Sequence, residues 1–237
     1  MSTVTTLSQS IADISAWFEK YYGDIEAFGR DLSALVEFDT AHPGALTEKS
    51  SKLIEQRSVR FLEEHELPDG AGAVFSRSVM GSSDGLLEWW VRDPDQRVAR
   101  YSFGINPTGE RFYDYERLEW FETAFGAKKR AIAGPYIDYL GVEEYIVTCT
   151  APLEAGGKLV GVVGTDNRMA DVEKALLPLL RKVPGDAAIL NPHKNVLVGN
   201  SGRFVSGDRV STVPEGFTIT PLTVNSIELS LLHPSIA

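Results

Sequence analysis

From Thr5 to Phe38 the apolar residues Ile11, Ile14, Trp17, Phe18, Tyr21, Ile25, Phe28, Leu32, Leu35 and Val36 return every three or four positions. That spacing predicts a long amphipathic helix, with Gly23 or Gly29 as points of bending. Thr40 to Gly44 interrupts the pattern. Thr47 can then cap a second helix reaching His65, because its hydroxyl accepts a bond from an otherwise orphaned amide. Leu-Pro-Asp-Gly at Leu67 to Gly70 stops that helix.

Beyond Gly70 the hydrophobic period shortens to two, the mark of strands. Gly72–Val79, Leu86–Val91 and Val98–Phe103 read as strands parted by the turns Ser82 to Gly85 and Asp93 to Asp95. A loop from Asn106 to Tyr113 leads to a helix around Tyr115–Phe125, drawn as one amphipathic helix with Tyr115, Leu118 and Phe121 or Phe125 inward. Tyr145–Thr150 and Lys158–Gly164 form a hairpin about Ala155-Gly156-Gly157. A helix follows at Met169–Arg181, which Pro178 should kink or end early, since proline lacks the amide proton that the helix ladder needs. Ala187–Leu190, Val196–Val198, and Phe217–Leu222 or Ile227–Leu232 close the chain as short strands. The order predicts an α+β fold, a central antiparallel sheet beside long N-terminal helices. We read residues 1–237 as one domain, with the helices in 1–66 and the sheet and a ligand pocket in 70–237.

Polar groups mark both ends of the hairpin. Tyr136 and Asp138 follow a Gly-Pro turn, and the apolar run Leu159 to Gly164 stops at Asp166. A carboxylate there has two readings: a cap for the next helix, or a ligand-facing anion. Trp89 and Trp90 are adjacent on a strand, so one should face the core and the other the surface.

Four features in this order resemble the Cache sensor family, the PAS-like, PDC-type ligand-binding modules of chemoreceptors and sensor kinases. They are Trp120-Phe121 with Ala124, the Gly134 to Asp138 turn, the Ile-Val-Thr strand leading to Ala151-Pro152, and Gly161 to Asp166 before a helix. The likeness is best over about residues 100–205. It implies a ligand pocket drawn from Trp120, Phe121, Tyr136, Asp138, Asp166, Tyr113, Arg117 and Tyr101. In amino-acid-binding members an Arg stands two residues before the Trp. Here Leu118 holds that place and Arg117 is one residue earlier, which turns a helical side chain by about 100°. Phe121 stands where those members carry Tyr. Asp166 matches the position that meets a ligand ammonium, and an aromatic wall would add cation–π attraction for a primary or quaternary amine.

Composition narrows the setting. The balance of 23 basic against 33 acidic residues gives a net charge of −10. That sign disfavours nucleic acid and anionic membrane as partners, which need a basic face. Cys149 is the single cysteine and can form no internal disulfide. No apolar run is long enough to span a bilayer and no leader pattern opens the chain, so a cytoplasmic setting is expected. His42, His65, His193 and His233 are scattered, and no metal or cofactor site is expected. The resulting expectation is a sensor for a cationic amine or amino acid, not an enzyme. It would signal through a partner such as a transcription regulator or a kinase and pair as a homodimer through its N-terminal helix. The rivals are an adaptor whose pocket is filled by Trp120 and Phe121, and an enzyme using Asp138 and Asp166 as an acid–base pair.

Overall fold

Three helices of more than two turns and two antiparallel sheets carry the chain in a computed structural model that describes residues 3–42, 44–93, 95, 97–101, 112–137 and 145–235. Helix α1 spans Thr3–Ser33 and α2 spans Glu48–Glu64. Thr47 caps α2 as its sequence suggests, accepting from the Ser50 amide at 3.2 Å. Strand β1 is Gly70–Phe75, followed by a single turn α3 (Arg77–Met80), β2 (Leu86–Arg92) and β3 (Val98–Arg100). Next come a 3₁₀ turn at Tyr115–Arg117, the helical stretch α4 (Glu119–Phe121) and a π turn at Glu122–Gly126. Strands β4 (Ala131–Ile137), β5 (Tyr145–Ala155) and β6 (Lys158–Arg168) lead into α5 (Met169–Leu180). Strands β7 (Ala188–Leu190), β8 (Val196–Gly199), β9 (Phe217–Pro221) and β10 (Ser230–Pro234) end the chain.

The larger sheet has the order β3-β2-β1-β6-β5-β4 and the smaller β8-β7-β10-β9. Both of the alternative last strands therefore form, and they pair with each other. One large apolar cluster joins α1, α2 and α5 to the larger sheet, through Ala73, Val147 and Val163, and to the smaller, through Ile189 and Leu231. A second cluster, with Val74, Leu87, Trp89, Trp120 and Phe121, lies on the opposite face of the larger sheet.

Several expectations are corrected. The first helix ends at Ser33, short of Phe38, which instead makes an isolated bridge with Leu46. Strand β1 stops at Phe75 because the chain turns at Ser76, where the Arg77 amide donates to Glu116 at 2.8 Å and so gains a partner that a strand could not give it. The helix drawn over Tyr115–Phe125 is broken at Leu118, whose φ −86 and ψ 143 are extended. Pro178 neither shortens α5 nor leaves a buried carbonyl stranded. It and Lys174, four residues earlier, are exposed, so water can reach the released carbonyl.

Both tryptophans of β2 are buried, Trp89 at 5% and Trp90 at 2% exposure, because the sheet is covered on both faces. The apolar positions of α1 that suggested a second copy are spent within the chain. Ile14, Ile25 and Phe28 have no exposed surface, Phe18 and Tyr21 are buried, and Ile11 packs half-buried on the core. No described helix is long and apolar enough to cross a membrane.

Candidate functional site

Strands β1, β2, β5 and β6 carry alternate residues to the face away from α1 and α2, and there they enclose a small cavity. Its lining is Val74, Leu87, Trp89, Tyr113, Trp120, Tyr136, Thr148 and Asp166, around about 20 Å³, space for roughly one water molecule. Antiparallel pairing sets Thr148 directly opposite Asp166. The Thr148 hydroxyl donates to Asp166 Oδ1 at 2.6 Å. The Tyr136 hydroxyl lies 2.6 Å from the same Thr148 oxygen. A threonine hydroxyl has one proton, and it is already given to the carboxylate, so Tyr136 donates and Thr148 accepts. The direction of the chain Tyr136 to Thr148 to Asp166 is thereby fixed.

Local backbone explains how Tyr136 arrives there. The β4–β5 register shifts between Ala133 and Tyr136. Gly134 holds φ at +109, and a Cβ on it would stand 2.9 Å from the Ile146 carbonyl oxygen. No side chain is tolerated at such a point. Asn191, from the turn after β7, donates to the Gly134 carbonyl at 2.6 Å and ties the smaller sheet to the rim of the site.

The aromatic wall is anchored from beneath. Tyr115 donates to the Phe75 carbonyl at 2.7 Å, and Arg77 pairs with Asp114 at 2.6 Å and Glu116 at 2.8 Å. These bonds hold the segment that presents Tyr113. Thr150 donates to the Trp120 carbonyl at 2.7 Å, fixing α4 against β5.

Of the eight residues that the sequence nominates, Trp120, Tyr136, Asp166 and Tyr113 meet at this cavity. Phe121 is buried behind it, packed on Tyr115, Trp120 and Phe125. Tyr101 donates its amide to the Trp89 carbonyl and packs on the same cluster without lining the cavity. The Arg117 side chain is 85% exposed and pairs with Asp114 at 3.1 Å, so it does not face the cavity. Asp138 lies outside the described residues. The cap reading of Asp166 is overturned, because β6 continues to Arg168, and Arg168 is the residue that precedes α5.

Trp89 and Thr148 were missed as lining residues. The signal for Trp89 was its strand parity with Leu87. Thr148 is hidden by a bulge between Leu153 and Glu154. Counted outward from the Gly156-Gly157 turn without that bulge, Asp166 would fall opposite Val147, on the other face.

Comparison with known proteins bears on this arrangement. A family model described as methyl-accepting chemotaxis protein-like, first PDC sensor domain, matches residues 94–174, the stretch that holds Trp120, Tyr136, Thr148 and Asp166. Among solved structures, a protein titled Methyl-accepting Chemotaxis protein X aligns with TM-score 0.65 at 16% identity, over 95% of this chain and 94% of that one. The ligand-binding domain of the Pseudomonas aeruginosa PAO1 amino acid chemoreceptor PctC, in complex with GABA, aligns with TM-score 0.59 at 16% identity, over 95% of each chain. That of the Pseudomonas fluorescens chemoreceptor CtaA, in complex with L-valine, gives 0.59 at 16% identity, over 98% of this chain and 94% of that one. Along its length the chain shares the fold of these sensor domains, and over residues 94–174 its sequence matches the PDC sensor-domain model. The model matched over that stretch describes a sensor domain and lends no support to the acid–base reading of Asp138 and Asp166.

Proposed function

We propose that the protein is a small-molecule sensor whose ligand carries a primary ammonium group, as an amine or an amino acid. One observation carries this reading: the oriented hydrogen-bond chain from Tyr136 through Thr148 to Asp166 at an aromatic cavity. With both hydroxyl protons already directed along the chain, what the carboxylate and the tyrosine oxygen add are acceptor lone pairs. A primary ammonium brings three N–H donors and the complementary charge. A quaternary ammonium brings the charge without a donor. Trp120 and Trp89 supply ring faces for cation–π attraction to either. GABA and L-valine, named with two of the structural neighbours, both carry an ammonium group.

The cavity of about 20 Å³ means that a ligand must part the walls on entry. The same small volume favours a second reading, an adaptor with a collapsed pocket packed by Trp120 and Tyr136. Calorimetric titration with isopropylamine and with tetramethylammonium separates the two. Binding of the primary amine with little or none of the quaternary ion is the expected result. No heat with either supports the adaptor, and tighter binding of tetramethylammonium refutes the donor argument.

The signal would pass to a partner protein, with a transcription regulator or a kinase as the fitting classes, in a cytoplasmic setting for which the net charge of −10 is the support. Helix α1 is the element placed to relay it. The Tyr21 hydroxyl is hydrogen-bonded to Thr165 at 2.8 Å and to Asn167, the two residues flanking Asp166. Pairing with a second copy stays part of this proposal only through polar surface, given how α1 is covered.

A further inference from the structure

Parity along β2 puts Leu87 and Trp89 on the cavity face. The Trp89 indole lies across β1 at Gly70, where a Cβ would stand 2.9 Å from Nε1. A residue with any side chain would displace the ring, so the bare backbone at Gly70 is what lets the indole lie there. Gly70 is paired directly with Asp166 on β6. Side chains at such paired positions start about 5 Å apart on the same face. The indole nitrogen and the Asp166 carboxylate are therefore neighbours across one strand.

The Trp89 N–H is shut off from solvent and has no hydrogen-bond partner among the described residues. A buried donor left unpaired is costly, and native structures rarely keep one without a reason. Trp90 is unpaired too, but it is packed among the apolar side chains beneath the helices and lines no part of this cavity. Charge limits what could pair with Trp89. Among the described lining residues Asp166 is the only carboxylate and none is a cation. Arg117, which the family likeness counted among the pocket residues, is turned outward onto Asp114. A carboxylate brought to Trp89 would sit beside a like charge that no described lining residue offsets.

We infer that Trp89 is a specificity-determining residue whose indole N–H takes a neutral acceptor on the ligand, so that the site prefers an amino alcohol or amino amide to a bare amine or a zwitterion. The inference rests on the ammonium reading of Asp166 and adds the chemistry of the ligand's second group.

Four probes that share the 2-aminopropane skeleton test it by calorimetry: isopropylamine, alaninol, alaninamide and alanine. Alaninol and alaninamide should bind about tenfold tighter than isopropylamine, the worth of one recovered buried hydrogen bond. Alanine should gain nothing over isopropylamine. In Trp89→Phe the advantage of alaninol and alaninamide over isopropylamine should vanish, whatever the smaller ring costs all four probes in common. If that variant weakens all probes alike, the indole is only a wall, and if alanine binds tightest, the neutral-acceptor claim is wrong. Failure of every probe on the wild-type protein refutes the ammonium reading itself, and this inference with it. Should Trp89→Phe not fold, ¹⁵N-indole NMR of the wild-type protein decides. The chain has four tryptophans, and one indole N–H signal should move with alaninamide but not with isopropylamine. No movement with alaninamide would overturn the proposal.

Discussion

The two faces of the six-stranded sheet are built from the same strands and differ in what they leave unfilled. Under α1 and α2 the face is packed with Ala71, Ala73, Trp90, Val147, Cys149 and Val163. Two of its polar members, Thr165 and Asn167, are closed into a local network. Both share the Tyr21 hydroxyl, and Asn167 also donates to the Val147 carbonyl at 3.1 Å. The opposite face places a carboxylate, three hydroxyls and two indoles around a small space. Residues 165 to 167 contain the whole contrast in three steps, with the outer two turned to the helix and Asp166 turned to the cavity. Strand parity alone separates a supporting role from a recognising one, which is why one misplaced residue of register would exchange them.

The largest effect that can break this contrast lies on the helix face. Phe28 is fully buried and stacks on Phe61 with ring centroids 4.3 Å apart. Phe28→Ala should cost about 3–5 kcal/mol in urea denaturation, through lost transfer energy and the cavity left behind. A cost below about 1 kcal/mol would mean that the helices are not integral to this core.

A smaller effect sharpens the same comparison through pH. Glu88 is buried under α2, held by Ser51 at 2.8 Å and Arg100 at 2.9 Å. Burial raises its pKa above the ordinary glutamate value, opposed by the Ser51 hydrogen bond and the Arg100 charge. A carboxyl raised in this way binds its proton more tightly folded than unfolded. Its contribution to stability is therefore greatest below the ordinary carboxylate range and declines as pH rises through the folded value. Glu88→Gln removes that dependence. Urea midpoints between about pH 4 and pH 7 should shift progressively in favour of the variant as pH rises. A shift the other way would show that the Arg100 pairing outweighs burial.

The elements were legible where local rules act alone: the Thr47 cap, the Gly156-Gly157 turn, and the three-four spacing of α1. Half of the site was legible as well, because Trp120, Tyr136 and Asp166 announce themselves by residue type beside turns and strand ends. What stayed hidden depends on long-range pairing. A bulge at Leu153 and Glu154 sets Thr148 against Asp166, and no local pattern in β5 reveals it. The break at Leu118 gains from the Tyr115 and Arg77 contacts to the end of β1, so helical parity misjudged the segment while Arg117 still ended outside the cavity. Trp89 was ambiguous because a sheet covered on both faces buries both partners of an adjacent pair.

Asp166→Asn tests the central claim most directly. The change keeps Oδ1 as the acceptor for Thr148 and removes the charge, so the fold's own network is preserved. We expect the variant to melt within a few degrees of the wild-type protein. Isopropylamine at about 100 times its dissociation constant should stabilise the wild type by about 2.7 kcal/mol and leave the variant unmoved. A variant that melts far below wild type yet keeps the same ligand-induced shift would contradict the account, placing Asp166 with the supporting face and not the recognising one.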